Sequence, residues 1–93
     1  MKYEVIWDEK ARDFLRTISR DNAQRIIKKV NTITEDPRHY LEFLVGIDCY
    51  KLRIGDFRTL IDIDEHKHEI TVLIIGDRKN IYTEIQRIKF RKK

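Results

Sequence analysis

CYKLRIGDFRTLIDID, residues 49–64, is the stretch on which the fold turns. Gly55-Asp56 interrupts two runs rich in Leu, Ile, Phe and Thr. A glycine at the first position of a two-residue loop suits a type II′ turn. CYKLRI (49–54) and FRTLIDID (57–64) therefore read as two antiparallel strands. The short loop sets the register, with Ile54 opposite Phe57, Arg53 opposite Arg58, and Lys51 opposite Leu60. Side chains alternate along a strand, so Leu52, Ile54, Phe57, Thr59 and Ile61 share one face and Lys51, Arg53 and Arg58 the other. The apolar set must face the core, which turns the basic trio outward.

Working outward, EITVLIIG (69–76) is a third strand, apolar on both faces and hence expected inside the sheet. KYEVIW (2–7) alternates with Tyr3, Val5 and Trp7 on one face, as a strand does. Asp8 is a good helix N-cap, and Ala11, Phe14, Leu15 and Ile18 follow at helical spacing. Ser19 to Asn22 are turn and cap residues, with Asp21 and Gln24 approximating a capping box. Ala23, Ile26, Ile27, Val30 and Ile33 form a second apolar stripe, expected to end at Pro37. Residues 38–48 read as loop. Tyr82, Ile85 and Ile88 would form one side of a short last helix. The fold class is α+β, with order β-α-α-β-β-β and a short C-terminal helix. Two N-terminal helices cover one face of a mainly antiparallel sheet. Residues 1–93 form one domain.

Composition narrows the function. Charged residues make up 39% and hydrophobic residues 41%, which excludes a disordered chain and a membrane protein. No apolar segment follows Met1, so a cytoplasmic protein is expected. The single cysteine, Cys49, excludes an internal disulfide framework and a cysteine zinc site. The net charge of +4 is unevenly placed. Residues 1–77 carry 13 Lys/Arg against 15 Asp/Glu, whereas residues 78–93 carry 7 against 1. A basic tail favours a polyanion such as nucleic acid. It is equally consistent with a solvated terminus.

The outward basic trio is the informative constellation. Like charges directly opposite each other destabilise a sheet by up to ~1 kcal/mol. An anion bound there would offset that, and so would nearby acids such as Asp62. Arg78 lies just past Gly76 at the edge of the same sheet. Tyr82 follows, with a ring that could stack on a base or simply anchor the last helix. RNA cleavage needs a base for the 2′-hydroxyl, donors for the phosphorane, and help for the departing 5′-oxygen. His39, His66 and His68 fall in loops or turns, and the last two lack a third metal ligand. A lysine crowded by arginines can act as base, and arginines clamp phosphate oxygens. No Gly-rich phosphate loop, GxSxG motif or Cys/His pair is present. No metal or nucleotide cofactor is expected.

The chain resembles the RelE family of bacterial and archaeal toxins over essentially its full length. The resemblance lies in YEVIWDEKARDFL (3–15), the helical pair ending EDPR (35–38), DCYKLRIGDFR (48–58) and IIGDRKNIYTEI (74–85). It implies a RelE-like fold and a ribosome-dependent endoribonuclease that cleaves mRNA in the ribosomal A site. Such toxins need no metal and leave a 2′,3′-cyclic phosphate and a 5′-hydroxyl. The family's functional positions fall on Lys51, Arg53, Arg58, Arg78 and Tyr82. By that carry-over, Lys51 is the candidate base, and Arg53 and Arg58 bind the scissile phosphate. Arg78 stabilises the leaving oxygen, and Tyr82 stacks on the substrate base. In two places the sequence departs from the pattern. Val45 stands where the family often has a basic residue, which would weaken RNA binding. Arg53 replaces the second lysine of Lys-x-Lys, which shifts the base role to Lys51. The resemblance also implies a RelB-like antitoxin, in a heterotetramer that also binds operator DNA.

Three other readings compete. A ParE-like relative of the same fold would poison DNA gyrase and would not need the basic and tyrosine residues. A non-catalytic RNA- or ribosome-binding module would keep the basic face without using Lys51 as a base. A pure interaction protein would offer that face to an acidic partner.

Overall fold

The computed structural model describes residues 2–91, with side chains as far as Arg87. Ile88, expected on the apolar side of the last helix, and the last residues of the basic tail lie outside the described side chains. Strand β1 (Glu4–Trp7) leads into helices α1 (Glu9–Thr17) and α2 (Arg20–Thr32). A short helix, α3 (Pro37–Tyr40), precedes strands β2 (Glu42–Leu44), β3 (Cys49–Ile54), β4 (Phe57–Asp64) and β5 (Glu69–Asp77). Helix α4 (Ile81–Arg91) closes the chain. The five-stranded sheet runs in the order β1-β5-β4-β3-β2. Only β1 is parallel to its neighbour, β5; the other pairs are antiparallel.

The hairpin has the expected register, with Ile54 opposite Phe57, Arg53 opposite Arg58 and Lys51 opposite Leu60. Gly55 takes φ 58° at the first loop position, where a side chain is disfavoured and glycine is not.

Other segments differ from the sequence reading. Pro37 does not end the long helix. Its ring pre-sets φ for a first helical turn, so it starts α3, while α2 already stops at Thr32. Residues 42–44, read as loop, form the edge strand β2. Ser19 is the cap of α2, its Oγ accepting from Asn22 N at 3.2 Å. Asp8 precedes α1 but makes no side-chain cap bond; its N–H instead ties β1 to β5 through Val72 O at 3.0 Å. Ile27 is exposed, so the apolar stripe of α2 is narrower than its sequence suggests.

Two cores lie on opposite faces of the sheet. Under α1 and α2, Ala11, Ile26, Val30 and Ile33 meet Leu52, Ile54, Ile61, Ile70, Val72 and Ile75. Fully burying a side chain such as Ile26 or Ile70 stabilises the fold by about 1.5–3 kcal/mol. On the other face Ile47, Cys49, Leu60, Ile74 and Ile81 form a smaller core with Ile85. The face expected to be open is therefore roofed over part of its area by α4. A register shift between Leu60 and Ile61, where Leu60 faces Ile74 and Ile61 faces Val72, lets β5 serve both cores. Among the described residues no helix is long and apolar enough to cross a membrane.

Candidate functional site

The hairpin turn brings basic residues from β3, β4 and the segment after β5 to one end of the sheet. Arg53 and Arg58 are cross-strand partners next to the loop, and Arg58 faces Gly76 on β5. Arg78 lies beyond the end of β5, where its backbone N–H donates to Asp56 O at 2.9 Å. The turn and the β5–α4 connection are thus held together. Asp77 stiffens that connection, because its Oδ1 accepts from Asn80 N at 2.7 Å and Lys79 N at 3.0 Å.

Arg58 is fixed in place. Its Nη1 donates to Gly55 O at 2.8 Å and Phe57 O at 2.9 Å. A guanidinium carries five N–H donors, and these contacts use a single nitrogen. The remainder of the fork can meet an anion bidentately. Arg53 is exposed. Neither arginine, nor Arg78, is ion-paired with a carboxylate among the described residues.

Lys51 sits further from the turn and deeper. Its side chain is only 16% exposed, and Nζ lies 3.5 Å from Glu42 Oε1. Glu42 is the cross-strand partner of Lys51 on β2. Sequence alone does not reveal it, because residues 42–44 carry no strand signal and the acid expected on this face is Asp62. Tyr82 stands in the first turn of α4 and is 60% exposed. The helix is anchored instead by Ile81 and Ile85. The phenol ring is therefore available to a ligand rather than spent on packing. Val45, the departure at the loop, is 87% exposed.

A basic residue, too, is not visible in the sequence pattern. The Arg25 guanidinium, on α2, rests over the hairpin: a methyl group on Gly55 would lie 3.1 Å from its Nη2. Only the packing of α2 against β3 brings it there.

The far end of the sheet carries charges of a different kind. Arg38 donates through Nε to Glu65 Oε2 at 3.0 Å and pairs with the same oxygen through Nη2. Its Nη1 reaches Tyr50 OH at 2.7 Å. Tyr3 OH donates to Glu65 Oε1 at 2.5 Å, and its ring stacks on His68 at 3.8 Å. The bonds from Tyr3 and then Arg38 hold the Glu65 carboxyl below the usual carboxylate range. Accepting from Tyr3, Glu65 holds that phenol above its ordinary value. Hydrogen bonds to Glu65 and Tyr50 raise Arg38 as well. Among the described residues no group of three His, Cys, Asp or Glu could hold a metal ion.

The chain is similar to known proteins in ways that bear on this geometry. A family model for the ParE toxin of type II toxin-antitoxin system, parDE, matches residues 5–82. No curated protein matches by sequence. Among solved structures, an arginine-substituted Escherichia coli RelE toxin in the free state is similar at 25% identity and TM-score 0.76. The match covers 99% of this chain and 98% of that one. The isolated E. coli RelE toxin is similar at 27% identity and TM-score 0.71, over 92% and 98% of the two chains. A RelBE toxin–antitoxin complex from Mycobacterium tuberculosis shares the fold at TM-score 0.76 and 19% identity, covering 84% of this chain and 100% of that one.

Proposed function

The chain belongs to the ParE toxin family of type II toxin–antitoxin systems; within that family, on its basic hairpin and its likeness to RelE toxins, we propose that it is a ribosome-dependent endoribonuclease cleaving mRNA in the A site. The observation that carries this reading is the set of arginines at the hairpin: Arg53 and Arg58 stand cross-strand from each other, the backbone of Arg78 is tied to the turn, and none of the three has a carboxylate partner among the described residues. Such a cluster suits a phosphate whose negative charge grows in the transition state. Lys51 takes the proton of the 2′-hydroxyl, and the 2′-oxygen attacks phosphorus. Arg53 and Arg58 hold the non-bridging oxygens of the phosphorane. As the bond to the 5′-oxygen breaks, Arg78 stabilises the charge on that oxygen, which takes a proton from water and leaves as a hydroxyl, while the hydroxide so formed takes the proton from Lys51. The products are a 2′,3′-cyclic phosphate and a 5′-hydroxyl. Tyr82, exposed beside this path, stacks on the base and holds the nucleotide in line. Where the activity resides is in the positioning of these groups, and the message must be presented in the A site for it to act.

Primer extension on messages in programmed ribosomes tests this directly. Wild type should give new cuts at the A-site codon and none in naked RNA. Lys51→Ala and Arg78→Ala should each lose about 10²-fold or more of the cleavage. An intact message with wild type, while growth still stops, would sink the reading.

The family model favours a second reading, since it is that of the ParE toxin. There the target is DNA gyrase, and the protein would block supercoiling and spare RNA. In either case the partner is an antitoxin. A RelB-like chain is supported by likeness to the toxin of the M. tuberculosis RelBE complex. Phe43 and Val45, exposed on and beside the edge strand, offer it apolar contacts. A heterotetramer that also binds operator DNA follows from the same reading.

A further inference from the structure

Strand β2 pairs with β3 only at Cys49–Lys51. Beyond it the edge of β3 faces α2 across a groove of about 470 Å³. Four cations line that groove: Arg25, Lys28 and Lys29 from α2, and Arg53 from β3. No carboxylate lines it, and none of the four is ion-paired among the described residues. Arg25 Nη1 reaches the neutral Asn22 Oδ1 at 3.5 Å, and Lys29 Nζ lies 5.4 Å from the centroid of the Tyr40 ring. By contrast, the groove between α1 and α4 mixes Lys10 and Arg87 with Asp13, Asp77 and Glu84.

We propose that the groove between α2 and the β3 edge is a second phosphate-binding subsite, which holds an RNA strand as it leaves the hairpin. The inference rests on the reading that the basic face meets RNA, and it extends that face around the edge of the sheet. Arg53 belongs to both regions, and Arg25 bridges them over Gly55. Lys28 and Lys29 stand at i+3 and i+4 from Arg25, each about 5–6 Å from it along the helix surface. A row of cations at that spacing suits a chain with one charge per nucleotide. An acidic protein segment fits less well. The only aliphatic side chain in the lining is Ile54, already buried in the core, so no pocket awaits an apolar anchor.

The test is the salt dependence of binding between the full-length protein and a fluorescein-labelled single-stranded RNA, read by anisotropy. Log affinity falls against log salt by about 0.7 per phosphate neutralised on a single strand. The triple variant Arg25→Gln, Lys28→Gln, Lys29→Gln should reduce the slope by about 2 and weaken binding about 10²-fold near 0.1 M salt. A control with the same charge loss on α1, Lys10→Gln, Arg12→Gln, Arg16→Gln, should keep the slope close to wild type. Glutamine preserves helix propensity, and circular dichroism checks the fold of both variants. Equal loss in both triples would reduce the effect to net charge and overturn the proposal. So would an unchanged slope in the α2 triple. Polyglutamate is added as a competitor; if the α2 triple loses polyglutamate binding but keeps RNA binding, the groove takes acidic peptides and the proposal fails. The readout is equilibrium binding, so loss of ribosomal cleavage in a separate assay would remove the nuclease reading without touching this one.

Discussion

The two ends of the sheet treat charge in opposite ways. At the end where Tyr3 and the β4–β5 turn meet, Arg38 and Glu65 are joined to each other and to Tyr50 and Tyr3. At the hairpin end, Arg53 and Arg58 stand opposite each other, with Arg78 and Arg25 brought beside the turn. Acids are not scarce near this second end, since Asp56 and Asp77 are close in the chain. Asp77, however, is occupied with backbone N–H groups of the β5–α4 connection. The far end shows that this chain can satisfy an arginine when the charge serves the fold. Leaving like charges opposite each other costs up to ~1 kcal/mol in a sheet. The anion binding proposed above would offset that cost at the hairpin.

The strongest way to break the contrast is to remove an arginine from each end. Arg58→Ala should lower A-site cleavage about 10²–10³-fold in single-turnover assays while leaving the melting temperature near wild type. Arg38→Ala should do the reverse, keeping cleavage and lowering the melting temperature. If both variants lose cleavage equally, the ends are not distinct in function. A smaller effect comes from Gly55→Ala. Its φ of 58° disfavours a side chain, and the new methyl would press on Arg25. Thermal unfolding should show a loss of about 1–2 kcal/mol. The smallest effect sharpens the far end. The depressed Glu65 carboxyl contributes stability that is full above its unfolded pKa and lost as pH falls through the folded value. Glu65→Gln should therefore melt roughly a few degrees below wild type at neutral pH. That gap should close as pH falls below the ordinary carboxylate range and through the folded value of Glu65. Tyr3, raised, has the opposite sign, and its contribution fades as pH rises through the folded value of the phenol.

Sequence alone carries the hairpin because its information is local. Two loop residues fix the register, and alternation then sorts Leu52 and Ile54 from Lys51 and Arg53. The sheet edge is a different matter. Glu42, Phe43 and Leu44 show no alternation that a half-exposed three-residue strand could impose, and their partner lies across a turn. Pro37 reads as a stop because proline breaks helices, yet at a first helical position it starts one. The β5 run reads as apolar on both faces, but the shift that divides it between two cores leaves no mark in composition. For the site, the arginines beside the turn were legible from register. Glu42 and Arg25 were not, because each reaches the site through tertiary packing. The Arg38–Glu65–Tyr3 network was invisible for the same reason, with partners 27 and 62 positions apart.

The parallel pairing of β1 with β5 bears on how the chain is made. Glu4 through Trp7 find their partners only at Glu69 through Val72. During synthesis the first strand emerges early and waits, while the β3–β4 hairpin closes over a two-residue loop almost at once. Long-range closure of this kind comes late and sets the folding rate. Until the fifth strand is available, the first core lacks Ile70, Val72 and Ile75 from β5. The nascent chain therefore gains its complete sheet only once Glu69 through Val72 have been made, more than sixty residues after the strand they complete.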